Sequence, residues 1–533
     1  MEQIFILDDF SGGLRYGTSN KEVKDSEGVV YQNVLSMPGN YLRSRSGMKK
    51  KNSSPPSKGA WINGITEYVD VDGNSYLVVT TCQDTSNGVT TAGIYRWDES
   101  TSSFIDLTGD TITWSPDAED LSFFEMFQGY LVIVNGVNRP VVWQSTWDEV
   151  QQFNVNFSIT GVDCIPTYVK AFKQFLFFAN TLEGGEHYMS RIRWCEPADI
   201  TSWPSENYMD LDADDGDEIR GIEVLGDLLV VFKTRKIYVV SYAGGELVFE
   251  AKLVLDGRGC VSGASITSIY NDLIFLAEDG IYSFDGTGGI EEISAKIKPL
   301  ILEINPAKRK LVQSAPMEEY DQLWFAVPHL DSERNNKVFV LNYTNPDEEC
   351  WYVYDIACST LGFYYRYADL TWGDLTDSID SYSFSWDDRR ALSAASILLT
   401  ADYNGYLYEQ DAGTSSDDGT VFTSRWQSKY FDYEAPYLNK RLIRIILFCN
   451  KGNADDTLKV KVYRDFNETS PSEYSISLYD SNFVDNDVLE RRIDLSEQGR
   501  YFKIELCQDE LPISWAVYRI IFVYHVKGRT IRT

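Results

Sequence analysis

The sequence predicts an all-β protein: a β-propeller of about seven blades, followed by an antiparallel β-sandwich and preceded by an extended N-terminal arm. Three observations carry that expectation. A strand–turn–strand pattern recurs seven times, with steps of 54, 45, 52, 45, 50 and 75 residues between copies. The apolar runs are short, rich in Val, Ile, Phe and Tyr, and split by Gly, Asn and Asp, as strands joined by tight turns are. Helical periodicity is thin throughout. The chain has 533 residues and 14 % aromatic content, enough for a large core and far too much for a disordered acidic chain.

Residues 1–58 come first and match neither repeat nor sandwich. "LDDFSGGLRYGTSN" is rich in turn residues and "SSPPSKG" reads as a linker. Ile4, Phe5, Ile6, Leu7 and Phe10 are too apolar to leave in water on a free tail, so the arm is expected to pack elsewhere and lend a strand. The arm also carries a purely basic stretch, "GNYLRSRSGMKKKNSSPPSKGA". It stands in a chain with 80 acids, 48 bases and a formal net charge of -32. Complementary charge sets the register and rate of assembly. Arg43, Arg45, Lys49, Lys50 and Lys51 are therefore candidate contacts to an acidic neighbouring subunit. The competing reading of the three lysines is a solvated linker face.

Residues 59–420 hold the repeat. Its copies are anchored on Leu77, Leu131, Leu176, Leu228, Leu273, Leu323 and Leu398. Four short strands per copy make a propeller blade, and blades bury both faces, which explains apolar runs without strict alternation. Asp72-Gly73, Asp279-Gly280 and Asn404-Gly405 are expected at tight hairpins in which both residues take positive φ. "SAKIKPLILEIN" is the one helical stretch, and Pro299 interrupts it. The long last step contains an insertion around 368–388.

From about residue 421 the pattern changes, after the Gly- and Ser-rich "DAGTSSDDGT". In "TLKVKVYRD", Leu458, Val460 and Val462 point one way and Lys459, Lys461 and Tyr463 the other. Residues 421–533 are thus expected to form a sandwich with one solvated face per sheet.

Candidate chemistry is sparse. "MDLDADDGDE" sets Asp210, Asp212 and Asp214 at alternate positions, like the start of a calcium loop. Gly216 is misplaced for such a loop and no closing glutamate follows, so a solvated hairpin loop is the expected structure. His187, His329 and His525 are far apart in sequence, and no G-x-S-x-G, phosphate-binding loop or C-x-x-C occurs. No catalytic residue, metal or cofactor is expected. The eight scattered cysteines read as free thiols of a reducing compartment. No membrane span or signal peptide is expected, and the acidic balance argues against tight coating of duplex DNA or of an anionic membrane.

The opening "FSGGLRYGTSNKEVKDSEGVVYQNVLSMPGNYLRSRSGMKK" then carries a resemblance. Through Gly12, Gly13, Asn33, Gly39, Leu42, Arg45 and Gly47 it resembles the N-terminal signature of the tail-nozzle propeller proteins of short-tailed bacteriophages. "RIRWCEPADITSWPSENYMDLDADDGDEIRGIEVLGDLLVVFKTRKIYVV" and "GRGCVSGASITSIYNDLIFLAEDGIYSFDG" resemble the middle of those proteins. The likeness covers residues 8–300 well and 300–420 loosely. It implies a structural virion protein without catalytic residues or cofactor. Its copies would form a ring, often of six, below the portal and its adaptor protein, extending the DNA exit channel and closing it until ejection. Implied partners are further copies, the portal adaptor, tail fibre or tailspike proteins, and double-stranded DNA in transit. The implied location is the virion tail, after synthesis in the host cytoplasm.

A tail nozzle and a head-completion plug remain alternatives. A channel that releases a genome cannot hold each phosphate with lysine. Asp210, Asp212, Asp214, Asp215 and Asp217, with the loop "LTDSIDSYSFSWDD", are therefore expected at the channel wall or its rim. Two other readings stay open: a carbohydrate-binding or carbohydrate-cleaving propeller, and a WD-type interaction scaffold. The sialidase box S-x-D-x-G-x-T-W is missing. Trp97, Trp147 and Trp386 precede aspartates, but no Gly-His precedes them.

Overall fold

All seven leucine anchors of the repeat fall in the second strand of a four-stranded antiparallel sheet. The structure is a computed structural model and describes residues 2–153, 163–245, 247–344, 349–366, 395–483 and 488–527. The sheets are the seven blades of a propeller. Blade 1 is built from Trp61–Val69, Ser75–Cys82, Ile94–Asp98 and Ser103–Asp106. Blades 2 to 6 follow in chain order and end at Gln151–Gln152, Tyr208–Asp210, Phe249–Asp256, Ile290–Glu292 and Cys350–Tyr354. The first strand of each blade is innermost: Trp61–Val69 packs against Thr360–Arg366 of blade 7 and Phe123–Phe127 of blade 2, and so on round the axis.

Blade 7 is completed from elsewhere in the chain. Thr360–Arg366, Ala395–Ala401 and Leu407–Glu409 supply three strands. The fourth is Lys49–Lys50, paired antiparallel with Glu409 and Tyr408. The ring is thereby closed by the start of the chain on its last blade. The insertion expected at 368–388 falls between the first two strands of blade 7, outside the described residues.

Residues 1–58, read in the sequence as an arm, supply strands to both folded units. In one sheet of the sandwich the order is Val488–Gly499, Asn439–Asn450, Ala516–Lys527, Tyr41–Ser44 and Val34–Met37. Glu2–Leu7 adds to it along Ala516–Lys527, with Leu7 opposite Ile520. The other sheet continues blade 6. Glu27–Gln32 lies parallel to Cys350–Tyr354 and is followed by Ser424–Ser428, Phe502–Gln508, Thr457–Arg464 and Asn467–Ser477. One apolar core therefore runs from blades 5 and 6 into the sandwich, through Phe10, Tyr31, Trp351, Trp426 and Trp515. Fully burying one such aromatic side chain contributes roughly 2–3 kcal/mol.

Two local expectations need correction, the hairpin turns and the solvated face of the sandwich strand. At Asp72-Gly73 and Asn404-Gly405 only the glycine has positive φ (87° and 83°), and at Asp279-Gly280 neither residue does. At the first two turns the reason is an aspartate two residues upstream. The Asp70 carboxylate accepts from the Asp72 and Asn74 N–H groups, and Asp402 accepts likewise from Asn404 and Tyr406. These side-chain turns replace the mirror-image hairpin turn. The polar face of "TLKVKVYRD" is not simply solvated. Glu505 on the neighbouring strand is buried there and accepts from Arg425 (2.9 Å), Tyr463 (2.8 Å) and Lys461 (3.3 Å). The interrupted helical stretch becomes one short helix, Lys298–Leu302, with Pro299 in its first turn, where no N–H is needed.

Candidate functional site

Antiparallel order fixes which loops share a face. The first strand of a blade starts where the second ends, so loops entering inner strands and loops leaving second strands lie together on one axial face. A polar cavity of about 200 Å³ runs down the axis behind that face, between the seven inner strands. Lys170 enters it, with Nζ 2.7 Å from Glu223 and 3.3 Å from Glu125. Burial pushes the Glu125 carboxyl up, Lys170 opposes this, and Glu223 adds to the rise. Burial alone would lower Lys170, but the two glutamates hold it above the usual lysine value. One cation thus ties the inner strands of blades 2, 3 and 4 together.

A second cavity of about 210 Å³ opens at the axial face over blades 1, 6 and 7. Arg334 lies over the rings of Trp61 (4.4 Å) and Tyr403 (4.9 Å) and 3.4 Å from Asp84. Glu119 holds both Lys308 and Lys310 at 2.6 Å. The charges of this mouth are largely spent on one another, so it presents little net field.

The acidic loop 210–217 lies on the same face, at the entry to blade 4. Its carboxylates are taken up within the chain. Asp210 receives a two-pronged contact from Arg191 (2.7 and 2.8 Å). Asp212 accepts from Lys236 (2.9 Å) and the Tyr238 hydroxyl (2.5 Å). Asp215 accepts from Lys233 at 2.8 and 2.9 Å. Asp217 caps the Thr234 and Arg235 N–H groups, and Asp214 is exposed. The Lys233 side chain is 0 % exposed and also donates to the Leu211 carbonyl. Burial would raise Asp215, but Lys233, the Asp217 N–H and Lys236 hold it down at about 2. Lysine ammonium groups therefore stand where a cation would be needed. Among the described residues no three His, Cys, Asp or Glu side chains are grouped to hold a metal.

The basic strip meets the same fate at greater depth. Arg45, expected at a subunit surface, is 3 % exposed. Its guanidinium grips Asp417 with two bonds (2.8 and 2.5 Å), donates to Asn33 Oδ1 (2.9 Å) and covers the Phe422 ring at 3.8 Å. Lys51 is also turned inward, to Glu99 (2.8 Å), Glu409 (3.2 Å) and the Tyr364 hydroxyl (2.6 Å). These two are corrected: they join the N-terminal segment to its own chain, because they pack between the sandwich, blade 7 and blade 1. Lys50 reaches Asp418 at 3.5 Å and Tyr406 at 4.2 Å. Arg43 is half-buried and Lys49 is exposed. The partners Asp417, Glu99, Glu409 and Lys233 were missed in the sequence. For Lys233 a signal was present, a lysine ending the apolar run "LLVVF".

Among the described residues no histidine is paired with a Ser, Thr or Cys side chain. His187 bonds Asn180 (2.7 Å), His329 bonds Glu303 (3.0 Å), and His525 lies 3.9 Å from Glu2. All eight cysteines are free and buried, and burial pushes the Cys82 and Cys358 thiols up to about 12. Thiolate chemistry is thereby suppressed.

No known protein family and no curated protein matches the chain in sequence. Solved β-propeller structures do resemble it in fold. A structure of YCF48 bound to D1 peptide covers 71 % of this chain and 97 % of its own length, at 10 % identity and a TM-score of 0.37. YCF48 from Cyanidioschyzon merolae covers 68 % and 99 %, at 11 % identity and 0.37. BBS1N in complex with ARL6DN covers 69 % and 97 %, at 12 % identity and 0.36. The propeller assignment stands on the chain's own strand pairing.

Proposed function

We propose that this chain is a structural subunit of a short phage tail. Its copies form a ring that extends the DNA exit channel below the portal and its adaptor and closes it until ejection. One observation supports this most. Four of the signature residues that resemble the tail-nozzle proteins serve a joint of this scaffold, with Arg45 beside them. Gly13 has a φ of 67°, and a Cβ there would lie 2.7 Å from Cys350 Sγ and 2.9 Å from the Trp351 nitrogen. Asn33 has a φ of 53°, donates to the Thr423 carbonyl, and accepts from both Arg45 and the Asp355 N–H. Leu42 is wholly buried. A Cβ on Gly47 would lie 2.0 Å from the Ser416 carbonyl oxygen. A short motif most of whose members fix the meeting of sandwich, blade 6 and blade 7 is a signature of scaffold, and the resemblance there supports a shared architecture and role.

The chemistry agrees with a structural part. The described carboxylates and cations of the axial face are largely spent on one another, holding loops and blades in place. Exposed acids that remain, such as Asp214, keep a lumen repulsive to DNA when they face it. Electron microscopy of the purified chain and of its source particle tests the reading. Rings with a central hole, found again at the tail vertex, are expected. A chain that stays single and is absent from the particle would refute it. So would glycan turnover that vanishes on changing a single Asp or Glu.

A further inference from the structure

The outer strands of the blades are short or covered, with one exception. Ser103–Asp106, Gln151–Gln152, Tyr208–Asp210 and Ile290–Glu292 have 4, 2, 3 and 3 residues. The outer strand of blade 6 is covered by Glu27–Gln32, and that of blade 7 is only Lys49–Lys50. Blade 4 ends in Phe249–Asp256, with 8 residues, and among the described residues no strand lies along its outer edge. Apolar side chains stand exposed on and beside it, Leu253 at 39 %, Tyr242 at 53 % and Leu247 at 73 %, interleaved with the charged Glu250, Lys252 and Asp256. Open, long, apolar edges are templates for pairing with another strand, and short or covered ones are protected.

The chain offers a matching edge. Glu2–Leu7 pairs with Ala516–Lys527 on one side, and no described strand lies on the other. Ile4 is 63 % and Ile6 50 % exposed there. Exposed Lys252 sits mid-strand in blade 4 between the exposed acids Glu250 and Asp256, and exposed Glu2 and Asp8 flank the isoleucines, so the match rests on the two open backbone edges and their apolar side chains and not on charge. Within one chain the fold keeps the two edges apart, one on blade 4 and one on the sandwich. They can meet only between copies.

We propose that Phe249–Asp256 of one copy is covered by Glu2–Leu7 of a second copy. This deepens the ring reading and rests on it. The contact joins two different surfaces, so it repeats head to tail and closes when the rotation between copies allows. Backbone hydrogen bonds and apolar side chains supply the attraction that a chain of net charge -32 otherwise opposes.

Because the native cysteines are all buried, Ile4→Cys and Leu253→Cys introduce the accessible thiols. The full-length chain carrying both should give, on mild oxidation, a ladder of covalent multiples in a denaturing gel. Either single variant should stay one chain, and a mixture of the two should stop at dimers. Independently, Leu253→Asp should weaken association in sedimentation by about tenfold or more, with unchanged thermal unfolding. If the double variant gives no ladder while the unmodified chain still sediments as a ring, this interface is wrong and the ring reading survives. If the unmodified chain is a single copy at every concentration, both fall.

Discussion

The basic strip at residues 43–51 and the acidic loop at 210–217 look alike in the sequence. Each is a block of one charge that reads as reserved for a partner. In the fold each is neutralised by its own chain, but at different depths. Arg45 lies in the joint where the sandwich, blade 6 and the end of blade 7 meet, held by Asp417 and Asn33. Lys233 anchors one loop at the entry to blade 4. The outer members of both blocks, Lys49 and Asp214, remain at the surface. In a strongly acidic protein the few cations are placed where chain segments far apart in sequence must be held. A charge block therefore reports its partner only after burial is known.

That comparison breaks most readily at Arg45. Arg45→Ala removes the two-pronged cationic donor of Asp417 and one of the two donors of Asn33 Oδ1 inside the joint. Removing one partner of a buried pair costs about 3–5 kcal/mol, which equilibrium denaturation would read as a lower midpoint. Arg45→Lys should recover only part of this, because an ammonium cannot make the two-pronged contact. A loss below about 1 kcal/mol would place Arg45 with ordinary surface pairs and remove the distinction of depth.

Lys233→Met should come next, at about 2–3 kcal/mol, since it takes the buried ammonium from Asp215 and from the Leu211 carbonyl, while Lys236 and the Asp217 N–H stay on Asp215 and the core strands stay in place. Amide exchange should quicken locally, over 211–217. The pH dependence sharpens the point. Asp215 is held at about 2 in the folded chain, below the usual aspartate value of about 3.9. Its stabilising contribution is therefore complete above roughly pH 4 and is lost as pH falls toward about 2. Lys233→Met should flatten the acid limb of the stability curve in that window. An unchanged acid limb would mean that another group carries it.

How much of this was readable beforehand depends on the range of each contact. The blades were legible because each is local: Leu77, Leu131 and their counterparts repeat within a unit whose strands are sequence neighbours. The destination of the arm was not. Leu7 pairs with Ile520, and Lys49 with Glu409, and nothing near either residue marks a partner hundreds of positions away. Asp417 sat in "TSSDDGT", which has the composition of a linker, yet it is the counter-charge of Arg45. The acidic loop was misread for another reason. Its cations come from the next hairpin, at Lys233 and Lys236, where a strand pattern masked their charge.

Lys51→Ala should cost about 1 kcal/mol: its ammonium is enclosed, but Glu99, one of its two carboxylates, is exposed and keeps water when the lysine is gone. A double-mutant cycle with Glu409 would isolate the pair. A coupling near zero would show that Lys51 acts through its ammonium over the Trp97 and Tyr364 rings.

The smallest effect is expected at Lys49, and it bears most directly on function. Lys49 is exposed and stands opposite Glu409 in the closing strand of blade 7. Its backbone carries that pairing, so Lys49→Ala should change stability by no more than about 0.5 kcal/mol. If the strip's business is internal, assembly should be unchanged too, because the inward members do the joining and the ring contact lies at blade 4. Sedimentation of Lys49→Ala beside the unmodified chain decides this. A variant that unfolds normally but no longer associates would return the outer edge of the strip to the interface between subunits. It would also separate two uses of one charge block, the inner half for closing the propeller and the outer half for binding the next copy.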